Sequence, residues 1–132
     1  MNTNKLYSLA ASDGIRIDRA ELPHNRSVSI RYGKKMYIGL DKEINTRAEE
    51  RVCLAHELGH CETLSFYNLY APLEIRAKHE IRADRWAIEQ LVSKEGYFSA
   101  LQNGYTEIHT LAELFEVTED FMRKAAEYYR AE

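Results

Sequence analysis

The chain has 132 residues, enough for one compact domain and too few for two ordinary ones, so any activity must be built around one core. Hydrophobic residues make up 45% and charged residues 30%, a globular balance that excludes a disordered or collagen-like chain. Eighteen Lys plus Arg stand against 21 Asp plus Glu, a net charge of −3, which removes the broad attraction on which general nucleic-acid binders rely.

Residues 1–11 carry an apolar run too short for a signal peptide, and no uncharged stretch nears the roughly 20 residues that cross a bilayer. The expected location is therefore cytoplasmic, with no membrane partner. Residues 5–12 place Leu6, Leu9 and Ala10 at helical spacing, and Asp13-Gly14 closes that helix in the manner of a glycine C-cap. Residues 15–18 alternate apolar and charged, Pro23 and Asn25 mark a loop, and 27–40 alternates Val28 and Ile30 against Met36, Ile38 and Leu40 around Tyr32-Gly33. That pattern predicts a small antiparallel sheet with a hairpin.

From Thr46 the period changes. Thr46-x-x-Glu49 has capping-box spacing, and acidic residues fill the first turn of a helix running to about Glu62. Val52, Cys53, Leu54, Ala55 and Leu58 make it apolar on nearly every side, so it should be central. A loop with Tyr67 and Tyr70 spans 65–72, a second long helix 74–92, a third 93–102, and two more cover 108–115 and 119–130, split by Val117-Thr118. The expected fold is α+β: the small antiparallel sheet packed on that central helix, with an α-helical C-terminal half. One unit of residues 1–132 is expected, 1–64 carrying sheet and motif helix and 65–132 the remaining helices. Cys53 and Cys61, eight residues apart on one helix, are about 12 Å apart along its axis and beyond disulfide reach, so both are expected as reduced, packing thiols.

The central helix contains Ala55-His56-Glu57-Leu58-Gly59-His60, which stacks two imidazoles on one face at i and i+4, free to converge on one ion. Such a string also arises by chance, so its context decides. In a buried apolar helix each polar group needs a partner, and a metal supplies one for both histidines. A catalytic zinc takes three protein ligands and keeps one open position. On the downstream helix Ala77, Glu80, Asp84, Ala87 and Leu91 form one stripe, with Lys78, Arg82, Arg85 and Glu89 away from it. Glu80 is the expected third ligand, and Asp84 the acceptor for a ring N–H of a zinc-bound histidine. His79, about 100° round the helix from Glu80, is the rival ligand, and a salt bridge to an arginine is the rival role for Asp84. Metzincin spacing is excluded, because Thr63 and Phe66 stand where that class has Gly and His.

The chain resembles the ImmA/IrrE-type metallopeptidases of phages and mobile elements. The similar features are Asp13-Gly14-Ile15, Gly39-Leu40-Asp41, the block from Leu54 to His60, and Glu80-x-x-Ala83-Asp84-x-Trp86-Ala87, where the family usually has Phe in place of Trp86. The resemblance implies that His56, His60 and Glu80 bind Zn2+ and that Glu57 is the general base. It also implies a protein substrate, a repressor encoded nearby whose cleavage relieves repression of a mobile element.

Residues 111–118 also look like the start of a helix-turn-helix. From Glu107 to Glu132, however, seven acidic residues stand against three basic ones, and Glu119-Asp120 occupy the helix start where a phosphate would sit. No direct nucleic-acid contact is expected, and the helix pair is expected to shape the groove beside the metal. The expected function is zinc-dependent cleavage of a specific cytoplasmic protein, with Glu57 taking and returning the proton. Tyr67 and Tyr70 are candidate oxyanion donors against a plain surface role, and an exposed sheet edge offers strand addition to an extended substrate. The alternative is a catalytically weak zinc-binding module acting by protein binding, against which an intact Glu57 argues.

Overall fold

In residues 1–130, which the computed structural model describes, the elements run α1 (Thr3–Ser12), β1 (Ile15–Ala20), β2 (Ser27–Tyr32), β3 (Lys35–Asp41), α2 (Arg47–Glu62), α3 (Leu73–Leu91), α4 (Lys94–Gln102), α5 (Ile108–Phe115) and α6 (Glu119–Arg130). The fold is α+β with a helical C-terminal half. The local signals act as their chemistry dictates. Gly14 takes left-handed backbone at φ 71° just past α1, where a side chain would be strained. Thr46 caps α2 by accepting the Glu49 N–H at 3.2 Å.

The reciprocal half of that capping box does not form. Arg26 takes the Glu49 carboxylate with both prongs of its guanidinium, at 3.0 and 2.8 Å, a stronger arrangement than one bond to a backbone N–H. Arg26 also donates to Asp41 at 3.0 Å, so it ties the entry to β2, the end of β3 and the start of α2 together.

The sheet is mixed rather than antiparallel. Its order is β1-β3-β2, with β2 and β3 antiparallel across the hairpin and β1 parallel to β3. The six residues between β1 and β2 are enough to step across one strand, since two spacings are only about 10 Å. That step puts β3, which holds the buried Ile38 and Leu40, in the centre and leaves β2 at an edge.

Helix α2 packs on β2 and β3, on α1 and on α3, and Leu54, Ala55 and Leu58 are fully buried. Val52 and Cys53 pack against the core but are only partly buried, because one side of each lines a cavity toward α6. Arg51, by contrast, is buried, and its guanidinium donates to the carbonyls of Glu116, Met1 and Phe115 at 2.9, 2.9 and 3.3 Å. It thereby satisfies carbonyls at the C-terminus of α5, where Glu116 takes the left-handed conformation at φ 55°. No helix among the described residues is long and apolar enough to cross a membrane.

On α3, Ala83, Ala87 and Leu91 are buried while the first residue of the expected stripe, Ala77, is exposed, as is Leu73 before it; the helix begins uncovered and meets α2 further on. A Cβ on Gly59 would lie 2.5 Å from the Ala83 carbonyl oxygen and 3.0 Å from its Cα, so the two backbones touch where only glycine fits. Replacing Gly59 by Ala is expected to push the helices apart and to cost about 1–3 kcal/mol, as overpacked cores do. Chemical denaturation should show this as a lowered midpoint at unchanged slope.

Candidate metal centre

Three residues before that contact and one after it, α2 and α3 bring their polar side chains together. His56 Nε2 lies 2.9 Å from Glu80 Oε2 and His60 Nε2 lies 3.2 Å from Glu80 Oε1. One donor atom from each of these three residues lies within 4.8 Å of the others. The remote ring nitrogens are engaged elsewhere: His56 Nδ1 on Asp84 Oδ1 at 2.8 Å and His60 Nδ1 on the Ser65 carbonyl at 2.6 Å. A carboxylate and a carbonyl only accept, so each Nδ1 carries its hydrogen, and Nε2, here on Glu80, is the nitrogen left to offer a lone pair to a metal once its proton is lost. Two imidazoles, oriented from behind, and one carboxylate are a donor set that fits a divalent metal with a further position open, the metal displacing the protons on the two Nε2 atoms.

The electrostatics favour a cation at the same point. Burial opposes charge on both histidines, but Asp84 and Glu80 outweigh it at His56 and hold its pKa up at about 10. Glu80 and the Ser65 carbonyl raise His60 as well. Hydrogen bonds from His56 and His60, joined by one from Tyr67, keep Glu80 far below the usual carboxylate range despite its burial. Without metal the cluster is thus held together by protons between histidine and carboxylate, and a bound cation would take their place.

Glu57, next to His56 on α2, is buried and accepts a hydrogen bond from Ser27 Oγ at 2.7 Å. It lines the same open cleft, about 460 Å³ in volume, as His56, His60, Glu80 and the strand residues from Ser27 to Ser29. Tyr67 donates to Glu80 Oε1 at 2.7 Å, and burial followed by Glu80 pushes its pKa up to about 12, so it stays a donor. Tyr70 is 94% exposed and does not line the cleft; of the two tyrosines only Tyr67 reaches the cluster, because the turn after Asn68 carries Tyr70 outward.

His79 stacks on Tyr67 with ring centroids 6.0 Å apart, outside the three-donor group. Asp84 has Lys124 at 3.5 Å as its second partner, and no arginine. Cys53 and Cys61 are both free thiols; burial raises both, Cys61 to about 12, so each is an inert packing group. Ser27 and Ser65 carry no signal in the sequence. Ser27 meets Glu57 from another element thirty residues away, and Ser65 acts through its backbone carbonyl, which any residue type supplies.

A family model described as Peptidase_M78, IrrE N-terminal-like domain, matches residues 10–127. No curated protein and no solved structure matches the chain.

Titrated into the metal-free protein, zinc is expected to bind one equivalent per chain. Changing His56 or His60 to Ala should abolish that binding and Glu57→Gln should preserve it. Glu80→Gln should weaken it far more than His79→Ala, and Asp84→Ala should cost about 10- to 100-fold, as loss of a ligand's orienting partner does. Calorimetry and metal analysis read every one of these changes; retention of zinc by Glu80→Gln with loss in His79→Ala would reverse the ligand assignment.

Proposed function

Because the chain belongs to the Peptidase_M78 family of IrrE N-terminal-like metallopeptidases, we propose that it is a zinc-dependent endopeptidase that cuts one cytoplasmic protein, a helix-turn-helix repressor of a phage or mobile element. The observation that carries the reading is the convergence of His56, His60 and Glu80 beside a separate carboxylate, Glu57, in an open cleft. In this reading His56, His60 and Glu80 hold the ion and Asp84 orients His56. Zinc bound there supplies polarisation of a water and of the peptide carbonyl.

The chain's own groups do the rest. Glu57 accepts a proton from the attacking water and returns it to the departing amine, so the base is regenerated as the peptide bond breaks. Ser27 occupies Oε2 of Glu57, which fixes the carboxylate and leaves Oε1 for the proton. Tyr67 borders the cleft but spends its O–H on Glu80; to serve a developing oxyanion it must first release that carboxylate. An extended substrate is presented by the unpaired edge of β2, whose first residues line the cleft, so main-chain hydrogen bonds can set its register along the site.

The test is coexpression of the wild-type protein, or of Glu57→Gln, with the repressor encoded beside it, followed by intact mass of the repressor. Cleavage at one or two sites is expected from the wild type only, is stopped by chelators, and is accompanied by negligible cutting of casein. An uncut repressor in stable complex with both forms would instead make the protein a zinc-bound binding module. On the cleaved repressor, Ser27→Ala should lower kcat about tenfold with zinc content unchanged, the size of a lost hydrogen bond to a charged group, and Ser27→Thr should restore most of it.

A further inference from the structure

Exposed large apolar side chains scattered singly over a surface need no explanation, but a concentration of them marks a place that another molecule covers. Leu64, Leu69, Tyr70, Leu73, Ile75 and Ile81 are half of the twelve such residues among the described ones, and all six fall within residues 64–81. The loop ahead of α3 holds Leu69 at 79% and Tyr70 at 94% exposure. On α3 itself Leu73, Ala77 and Ile81 are exposed at steps of four, one stripe about 12 Å long. By helical rotation it runs between Glu80, on the cleft side, and Lys78, Arg82 and Arg85 on the other. These three cations are exposed and none has an ion pair among the described residues, although Arg85 lies over the Tyr128 ring at 5.8 Å. Between Ile75 and Ile88 no carboxylate opposes them, because Glu80 and Asp84 are spent on the histidines. Glu74 and Glu89 stand at the two ends, the latter held by Tyr128.

We propose that Leu69, Tyr70 and the Leu73–Ala77–Ile81 stripe form a docking surface for an acidic amphipathic helix of the substrate protein, apart from the segment that is cut. The inference rests on the endopeptidase reading for the identity of its partner. An exposed apolar row repeating every four residues is matched by the same row on a second helix, and the small Ala77 at its middle lets that helix come close. Acidic residues beside the partner's apolar row would meet Lys78 and Arg82, which lack carboxylates of their own. The partner is the substrate because the surface is continuous with the cleft: Leu69 lines the cleft together with His60 and Glu80, so a helix seated on it leaves its connecting chain at the cleft's mouth. Docking of this kind gives selectivity to a small enzyme whose open cleft would by itself admit any extended chain, since an unfolded substrate such as casein brings no preformed helix to the surface. It also gives Tyr70 a role that its distance from the metal cluster denies it in the chemistry.

The first probe is an acetylated, amidated helical peptide of about 18 residues with leucines every three to four residues flanked by glutamates, compared with its counterpart carrying lysines for glutamates. Each is titrated into the zinc-loaded full chain by calorimetry and by amide chemical shifts. The glutamate peptide should bind about tenfold or more tighter than the lysine peptide, with shifts confined to residues 69–85. Leu73→Ser with Ile81→Ser should remove binding, since it takes away two buried aliphatic side chains, and Lys78→Glu with Arg82→Glu should reverse the preference. On the repressor both double variants should raise KM about tenfold or more at unchanged kcat and zinc content. A peptide of about ten residues spanning the cleaved bond, without the docking helix, should be cut as by the wild type. Equal binding of the two helical peptides, binding of neither, shifts elsewhere, or a defect that extends to the short peptide would overturn the docking surface. So would phosphatidylserine vesicles bound, or a dimer formed, through the same residues, with a lipid surface or a second copy then the occupant. Failure of the endopeptidase reading is read separately: the glutamate preference and its loss in the variants would be present while the repressor stays intact.

Discussion

The site depends on one close approach of two backbones. Gly59 on α2 and Ala83 on α3 touch where no side chain fits between them, and both helices are stiff enough that this one contact sets their rotation as well as their distance. His56 and His60 stand three residues before and one after Gly59, and Glu80 and Asp84 stand three before and one after Ala83. The i, i+4 pair on each helix therefore brackets the contact, and both pairs face the same point. A wider spacing would leave room for side chains between the helices and would draw Glu80 out of reach of the two imidazoles it now meets at 2.9 and 3.2 Å.

Around this core a ring of acceptors and donors separates two carboxylates that share one cleft. Glu80 is surrounded by His56, His60 and Tyr67, and its charge is bound up with them. Among the described residues Glu57 has one hydrogen-bond partner, Ser27, on Oε2. Two residues of the same type thus stand in different surroundings, one held by three donors and the other by one. The acceptors behind the histidines, Asp84 and the Ser65 carbonyl, act one step further out by fixing which nitrogen faces the shared point.

The remaining elements serve as walls. Arg26 binds the entry of β2 to both Asp41 and Glu49, which holds Ser27 against Glu57 and keeps the edge of β2 alongside the cleft. On the opposite side α6 buries Phe121, Met122, Ala125, Ala126 and Tyr129 and turns Lys124 toward Asp84. Arg51 secures the approach to α6 by satisfying carbonyls at the turn between α5 and α6.

What the sequence determined by itself is whatever rests on local periodicity. The i, i+4 histidines with Glu57 between them, the inward stripe of Glu80 and Asp84, the Thr46 cap and the stop at Gly14 are all relations within one helix, fixed by 3.6 residues per turn. The tertiary structure alone decided what lies between elements. The parallel pairing of β1 with β3 could not be read from strands that look alike in either direction. Tyr67 rather than Tyr70 reaches the cluster because of the path of a loop without periodicity. Val52 and Cys53 pack on the core yet are covered only in part because α6 stands off from α2 there, and Ser27 meets Glu57 across thirty residues of chain, a distance at which spacing in the sequence carries no information about direction in space.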